Sequence, residues 1–151
     1  MEKCHDEDVM PLAVRLIFLG HRVTSLVERR LAKYEYNHTQ AALIGMLRRH
    51  PGLIGQEMVG PLPVEAPSVT RALQSLERRG LVQRRPHPSD GRANVFELTA
   101  AGRGEAQLLA KLLRETSDEL EADLSPEQRQ ALREAMATIL TCVKHTRGVS
   151  E

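Results

Sequence analysis

Apolar residues recur at helical spacing along most of the chain. Between Val9 and Lys33 they fall at Leu12, Leu16, Leu19, Val23, Leu26, Val27 and Leu31. Steps of mostly three and four predict one long amphipathic helix. Thr39 is read as the cap of a short helix carrying Leu43, Met46 and Leu47, which stops at His50-Pro51-Gly52. Leu53 to Gly60 reads as another short helix, interrupted by Pro61-Leu62-Pro63 because proline lacks an N–H and clashes inside a helix. Pro67 suits the first turn of the next helix, about Ala66–Arg79, which ends at Gly80. Val69, Leu73 and Leu76 share one face of it, while Ser68, Arg71, Gln74, Ser75 and Arg78 fall largely on the other.

Two short helices meeting at a tight turn, the second polar and basic on its free face, form a helix-turn-helix pattern. Any small helical bundle contains such pairs, so the segment after Gly80 carries the weight. Leu81 to Arg85 reads as a short strand, Pro86-His87-Pro88-Ser89-Asp90-Gly91 is dense in turn residues, and Asn94 to Leu98 reads as the returning strand. A helix-turn-helix with a basic hairpin directly after it is a winged helix. Thr99 is expected to cap a helix running to about Asp123, with Leu108, Leu109, Leu112, Leu113 and Leu120 as its stripe. Ser125-Pro126-Glu127-Gln128 opens the last helix, which carries Leu132, Met136, Ile139, Leu140 and Val143. The expected fold is mainly α with a small β-hairpin wing.

Composition bounds this picture. The 151 residues, 41% hydrophobic and 27% charged, are enough for one domain or two closely joined halves with a real core. Aromatics are only 3%, so that core is aliphatic. The net charge of +1 hides an uneven distribution. Residues 65–92 hold six arginines against three acids, and residues 99–128 hold three bases against seven acids. The first segment either faces an anion or is a solvated charge run. No stretch is apolar enough to span a membrane, and the N-terminus lacks a signal-peptide pattern, so a cytoplasmic location is expected. The two cysteines, Cys4 and Cys142, have neither disulfide-framework nor zinc-finger spacing. Cys4, His5, Asp6, Glu7 and Asp8 likewise lack an established ligand spacing, and no metal or other cofactor is expected. His-Glu-x-x-His, Gly-x-Ser-x-Gly and phosphate-loop motifs are all missing, which speaks against an enzyme.

The stretch 53–102 resembles the multiple-antibiotic-resistance regulators, the MarR family. The carrying residues are Leu76-Glu77-Arg78-Arg79-Gly80, then Gly80-Leu81-Val82-Gln83-Arg84-Arg85-Pro86-His87-Pro88-Ser89-Asp90-Gly91-Arg92, then Leu98-Thr99-Ala100-Ala101-Gly102. The flanking helices match in order and length. The resemblance implies helices from 1–34 and 105–151 interlacing across a two-fold axis, with a winged helix over 35–104. It thus implies a homodimer on a pseudo-palindromic operator in double-stranded DNA. A monomeric antiparallel bundle is the alternative that the residues themselves leave open. Pro61 and Pro63 depart from the family's usual turn, and Gly91 stands where the family more often has Arg.

Phosphate contacts supply affinity and base-edge contacts supply specificity. By family position Ser68, Thr70 and Arg71 face the major groove, with Gln74 and Ser75 next along and Arg78 beyond. Arg71 suits guanine and Gln74 adenine. Arg92, at the hairpin tip, suits a narrow minor groove, with Asp90 bracing it. Arg84, Arg85 and His87 are expected beside phosphates, His87 being equally readable as an idle loop residue.

Many relatives release DNA when a small phenolic or drug-like effector binds, which suggests a ligand-responsive repressor. Leu16, Leu19, His21, Arg22, Met46 and His50 are the candidate lining, with ordinary core or surface roles as the plainer reading. Leu16-Ile17-Phe18-Leu19 lacks the reactive cysteine of peroxide-sensing relatives. A Cys4–Cys142 redox pair stays open beside two inert thiols. The competing function is a winged-helix protein–protein module without sequence-specific DNA binding, against which the arginine set speaks.

Overall fold

The computed structural model describes residues 10–62, 64–89 and 93–146, with side chains through Val143. It has five α-helices, α1 (Leu12–Ala32), α2 (His38–Arg49), α3 (Ala66–Arg78), α4 (Ala100–Leu120) and α5 (Pro126–Thr146), and three strands, β1 (Leu53–Ile54), β2 (Val82–Pro86) and β3 (Asn94–Leu98). The chain divides into two compact units, residues 1–113 and 114–151.

The core of the first unit is aliphatic, as the composition requires. Leu31, Leu43, Ile44, Leu47, Met58, Val69 and Leu76 are its largest fully buried side chains. α1 starts directly after Pro11, whose carbonyl accepts from the Val14 and Arg15 N–H groups. Leu31 is the buried residue of α1, and Leu12, Leu16, Ile17, Phe18 and Leu19 are exposed along it. The cap of α2 is Asn37 rather than Thr39. Asn37 Oδ1 accepts from the Gln40 N–H at 2.8 Å, and Gln40 Oε1 accepts from the Asn37 N–H at 3.0 Å. This reciprocal pair satisfies two backbone donors that a helix start otherwise leaves unpaired.

The segment expected as a short helix at Leu53–Gly60 divides. Leu53 and Ile54 pair with Phe96 and Val95, making β1 the third strand of an antiparallel sheet ordered β1-β3-β2. Only Gly55–Met58 is helical, as a 3-10 turn. Strand pairing to β3 supplies backbone partners that so short a helix cannot supply to itself.

α3 ends at Gly80, whose φ of +69° is the left-handed conformation glycine adopts without strain. The Leu81 N–H donates to the Leu76 carbonyl at 3.0 Å and the Gly80 N–H to the Glu77 carbonyl at 2.9 Å, closing the last turn. The chain then enters the β2–β3 hairpin, in which Val82 faces Leu98 and Pro86 faces Asn94. Thr99 caps α4 as expected, its Oγ1 accepting from the Gly102 N–H at 3.0 Å.

In the second unit, the Ser125 signal opens α5. Gln128 Oε1 accepts from the Ser125 N–H at 2.8 Å, and Ser125 Oγ accepts from the Gln128 N–H at 3.2 Å. Arg133 Nη2 lies 3.0 Å from Glu121 Oε2. Leu132, Met136, Leu140 and Val143 are exposed along α5 at spacings of three and four. Among the described residues no helix is long and apolar enough to cross a membrane.

Candidate nucleic-acid interface

α3 is built with one face for the core and one for solvent. Val69, Ala72, Leu73 and Leu76 are buried, while Thr70, Arg71, Gln74 and Arg78 are exposed. The exposed four recur at one- and two-turn spacing, so they form one polar, basic strip. Ser68 and Ser75 are half-buried at its margin. Thr70 Oγ1 donates to the Ala66 carbonyl at 3.0 Å, which ties its hydroxyl proton to its own helix and leaves the oxygen outward as an acceptor. Arg71 Nη2 reaches Ser68 Oγ at 3.4 Å. Thr39, Gln40, Ser68, Arg71 and Ser75 line a shallow recess between the start of α2 and α3.

The adjacent arginines at the end of α3 diverge. Arg78 continues the exposed strip. Arg79 turns the other way: its guanidinium stacks over the Tyr36 ring at 4.2 Å, and its Nη1 donates to the Glu35 carbonyl at 3.0 Å. Tyr36 is buried, and its hydroxyl donates to Glu105 Oε2 at 2.9 Å. Burial, then the Glu105 hydrogen bond, push the Tyr36 phenol up to about 12, against the pull of the Arg79 charge. Arg79 therefore joins the α1–α2 linker to the end of α3, and Tyr36 joins that linker to α4. The sequence pattern left Arg79 out of the DNA-facing set without assigning it this role.

Arg84 and Arg85, grouped together in the sequence, fall on opposite faces of the hairpin because side chains alternate along a strand. Arg84 lies opposite Phe96 and shares its face with the Val82–Leu98 pair. Arg85 shares its face with the Gln83–Glu97 pair, and its Nε lies 3.6 Å from Glu97 Oε2. Gln83 Nε2 donates to the same carboxylate at 3.3 Å. Both arginines are exposed. The His87 N–H donates to the Ala93 carbonyl at 3.0 Å, extending the hairpin by one pair, and His87 Nδ1 accepts from the Ser89 N–H at 3.3 Å. Asp90 and Arg92 lie outside the described residues, as does Cys4.

The six residues proposed for an effector are spread out. Leu16, Leu19, His21 and Arg22 are exposed on α1, where His21 and Arg22 border a shallow depression with Phe18, Ser25 and Arg29. Met46 packs in the core, and His50 is exposed at the end of α2. Cys142 is exposed. No group of three or more His, Cys, Asp or Glu side chains among the described residues is arranged to hold a metal.

Gln40 was not legible as a site residue in the sequence, although Asn37-His38-Thr39-Gln40 has the spacing of a capping box. The neighbouring Thr39 carried an equally good cap signal, and only the tertiary structure adds that Gln40 also reaches α3. Gln40 Nε2 donates to Ser75 Oγ at 3.1 Å.

Residues 36–93 match the MarR family model. The chain is 34% identical over 74 residues to the uncharacterized HTH-type transcriptional regulator YdgJ of Bacillus subtilis, a match covering 49% of this chain and 45% of that protein. It spans about half the length of the curated relatives it matches. Its fold is similar to that of a mutant MarR of E. coli complexed with operator DNA, with a TM-score of 0.77 at 21% identity over 91% of this chain and 99% of that one. It is also similar to S. aureus MepR in a complex with DNA, with a TM-score of 0.78 at 21% identity over 88% and 98% of the two chains. The chain thus takes the winged helix-turn-helix fold of MarR structures, with residues 36–93 matching that family's model.

Proposed function

We propose that this protein is a transcription regulator, not an enzyme, that binds double-stranded DNA sequence-specifically as a cytoplasmic homodimer on a pseudo-palindromic operator. The observation that carries this reading is the strip Thr70, Arg71, Gln74 and Arg78, exposed on a helix whose other face is fully committed to the core. Such a helix offers side chains of fixed direction to the edges of bases in a major groove. Arg71 takes guanine, Gln74 takes adenine, and Ser68, Thr70 and Ser75 contact the flanking edges or phosphates. Arg78, Arg84, Arg85 and His87 contribute phosphate contacts, and Arg92, braced by Asp90, enters the minor groove beside the major-groove site. That two similarly folded proteins have structures in complex with DNA supports this reading.

The dimer is supported by the apolar residues left exposed along α1 and along α5, since contiguous apolar surface of that kind marks an association site. Helices from 1–34 and 105–151 form the dimer region, and 35–104 the DNA-binding domain. Regulation follows the resemblance: a repressor released by a small phenolic or drug-like effector that binds the DNA-free arrangement more tightly. Leu16, Leu19, His21, Arg22, Met46 and His50 are its candidate contacts.

The test is selection of bound sequences from random DNA, and then titration of the selected site at several salt concentrations. A defined two-half-site sequence is expected, with log K falling against log salt by several units as phosphates on both half-sites release counterions. Failure to select any sequence, with a flat salt response, would favour a protein–protein module instead.

A further inference from the structure

Gln40 is one of two buried polar side chains among the described residues, at 8% exposure. A buried amide must place its oxygen and nitrogen against suitable partners, because an unpaired polar group there is costly. Its orientation follows from one contact. The Asn37 backbone N–H, which can only donate, lies 3.0 Å from one end of the amide and makes that end the oxygen. The other end is therefore the NH2, and it lies 3.1 Å from Ser75 Oγ.

This determines how Ser75 is presented. A serine hydroxyl that rotates freely is a donor or an acceptor as its partner requires, which makes it a poor discriminator between bases. Here one of its two lone pairs is occupied by a donor that cannot accept, so the hydroxyl proton is kept for a partner other than Gln40 and only one lone pair remains beside it. Ser75 lies at the margin of the exposed strip of α3, on the recess it shares with Ser68 and Arg71. We propose that Gln40, which touches no DNA itself, is a positioning residue that keeps the Ser75 hydroxyl proton available and so biases Ser75 toward donating to a base acceptor. That acceptor is guanine O6 or N7, adenine N7 or thymine O4. The inference rests on α3 being the DNA-reading helix.

Gln40→Glu tests it almost isosterically. A carboxylate still accepts from the Asn37 N–H, so the cap is kept, but it accepts from Ser75 instead of donating to it. The serine proton is then spent on the new carboxylate, and toward a base the oxygen acts only as an acceptor, suited to an amino group of cytosine or adenine. The experiment selects operator sequences from a randomised pool with the full-length wild type, Gln40→Glu, Ser75→Ala and the double variant. Expected is a change in base preference of about threefold to tenfold, confined to one position per half-site, in Gln40→Glu. Ser75→Ala abolishes preference at that position, and adding Gln40→Glu to it changes nothing further there. An effect of Gln40→Glu that persists undiminished in the Ser75→Ala background would overturn the proposal while leaving Ser75 as a base contact. Unchanged preference in Ser75→Ala would remove Ser75 from the reading surface, and the proposal with it. No selection by the wild type would mean that α3 does not read DNA at all. If Gln40→Glu lowers the melting temperature enough to obscure binding, Gln40→Met replaces it. With the donor gone and no charge added, preference at that position broadens to both donor and acceptor bases; unbroadened preference sinks the proposal.

Discussion

The Thr99 hydroxyl donates to the Gly80 carbonyl at 2.7 Å, fastening the start of α4 to the end of α3. The same oxygen accepts from the Gly102 N–H, and the Thr99 N–H donates to the Leu81 carbonyl at 3.0 Å. Leu98-Thr99-Ala100-Ala101-Gly102 thus does more than close the second wing strand. It holds the backbone where the proposed recognition helix passes into the wing, so the two elements proposed to contact DNA share one anchor.

Gly102 is required by that anchor. A Cβ there would clash with the Leu81 carbonyl oxygen, a backbone atom that no side-chain rotation can move. Gly102→Ala is expected to destabilise by more than about 2 kcal/mol in chemical denaturation, since α4 must move off the turn. Thr99→Val, which removes both hydroxyl bonds at nearly constant volume, is expected to cost about 1–2 kcal/mol. A Gly102→Ala protein as stable as wild type would show that α4 does not pack on Leu81 in solution.

Tyr36→Phe removes the bond to Glu105 while keeping the ring under Arg79, and is expected to cost about 1–2 kcal/mol near neutral pH. The pH dependence has a defined sign. The folded state holds the phenol protonated up to about 12, whereas the unfolded chain ionises near the ordinary value of 10.0. The contribution is therefore fully present below about pH 10 and is lost as pH rises toward 12. Melting curves of wild type and Tyr36→Phe should converge over that interval, and a difference independent of pH would contradict the assignment.

Arg84→Ala and Arg85→Ala are expected to differ, because the two side chains stand on opposite faces and Glu97 partly neutralises Arg85. Arg84→Ala should lower the salt slope of operator binding by about one unit per site, and Arg85→Ala by less. Equal slopes would mean that both arginines meet phosphate equally.

Arg71→Ala is expected to relax base preference at one position of each half-site, at a cost of about 1–3 kcal/mol on the selected operator and less on random DNA. Arg92→Ala should weaken operator binding with the dimer intact by sedimentation. Equal losses on specific and random DNA would refute the Arg71 assignment, and an unchanged gel shift would refute that of Arg92.

The sequence by itself determined α1 to α5 and the wing strands, while the first helix of the helix-turn-helix read from it, Leu53–Gly60, is a strand and a 3-10 turn. The five helices and the wing strands depend on periodicity and on residues with strong local effects: Pro67 in the first turn of α3, Gly80 after that helix, Ser125 and Gln128 around the start of α5. Such signals act within a turn or two of chain and need no distant partner. What only the tertiary structure decided depends on residues far apart in sequence. Leu53 and Ile54 became a strand because β3, far along the chain, offered backbone partners. Arg78 and Arg79, identical in type, separated because Tyr36 and Glu35 lie under one of them. Thr39 and Asn37 carried similar cap signals, and Asn37 took the role with a glutamine that also reaches α3. In each case local propensity allowed two outcomes, and a hydrogen bond or ring contact supplied by another element selected between them.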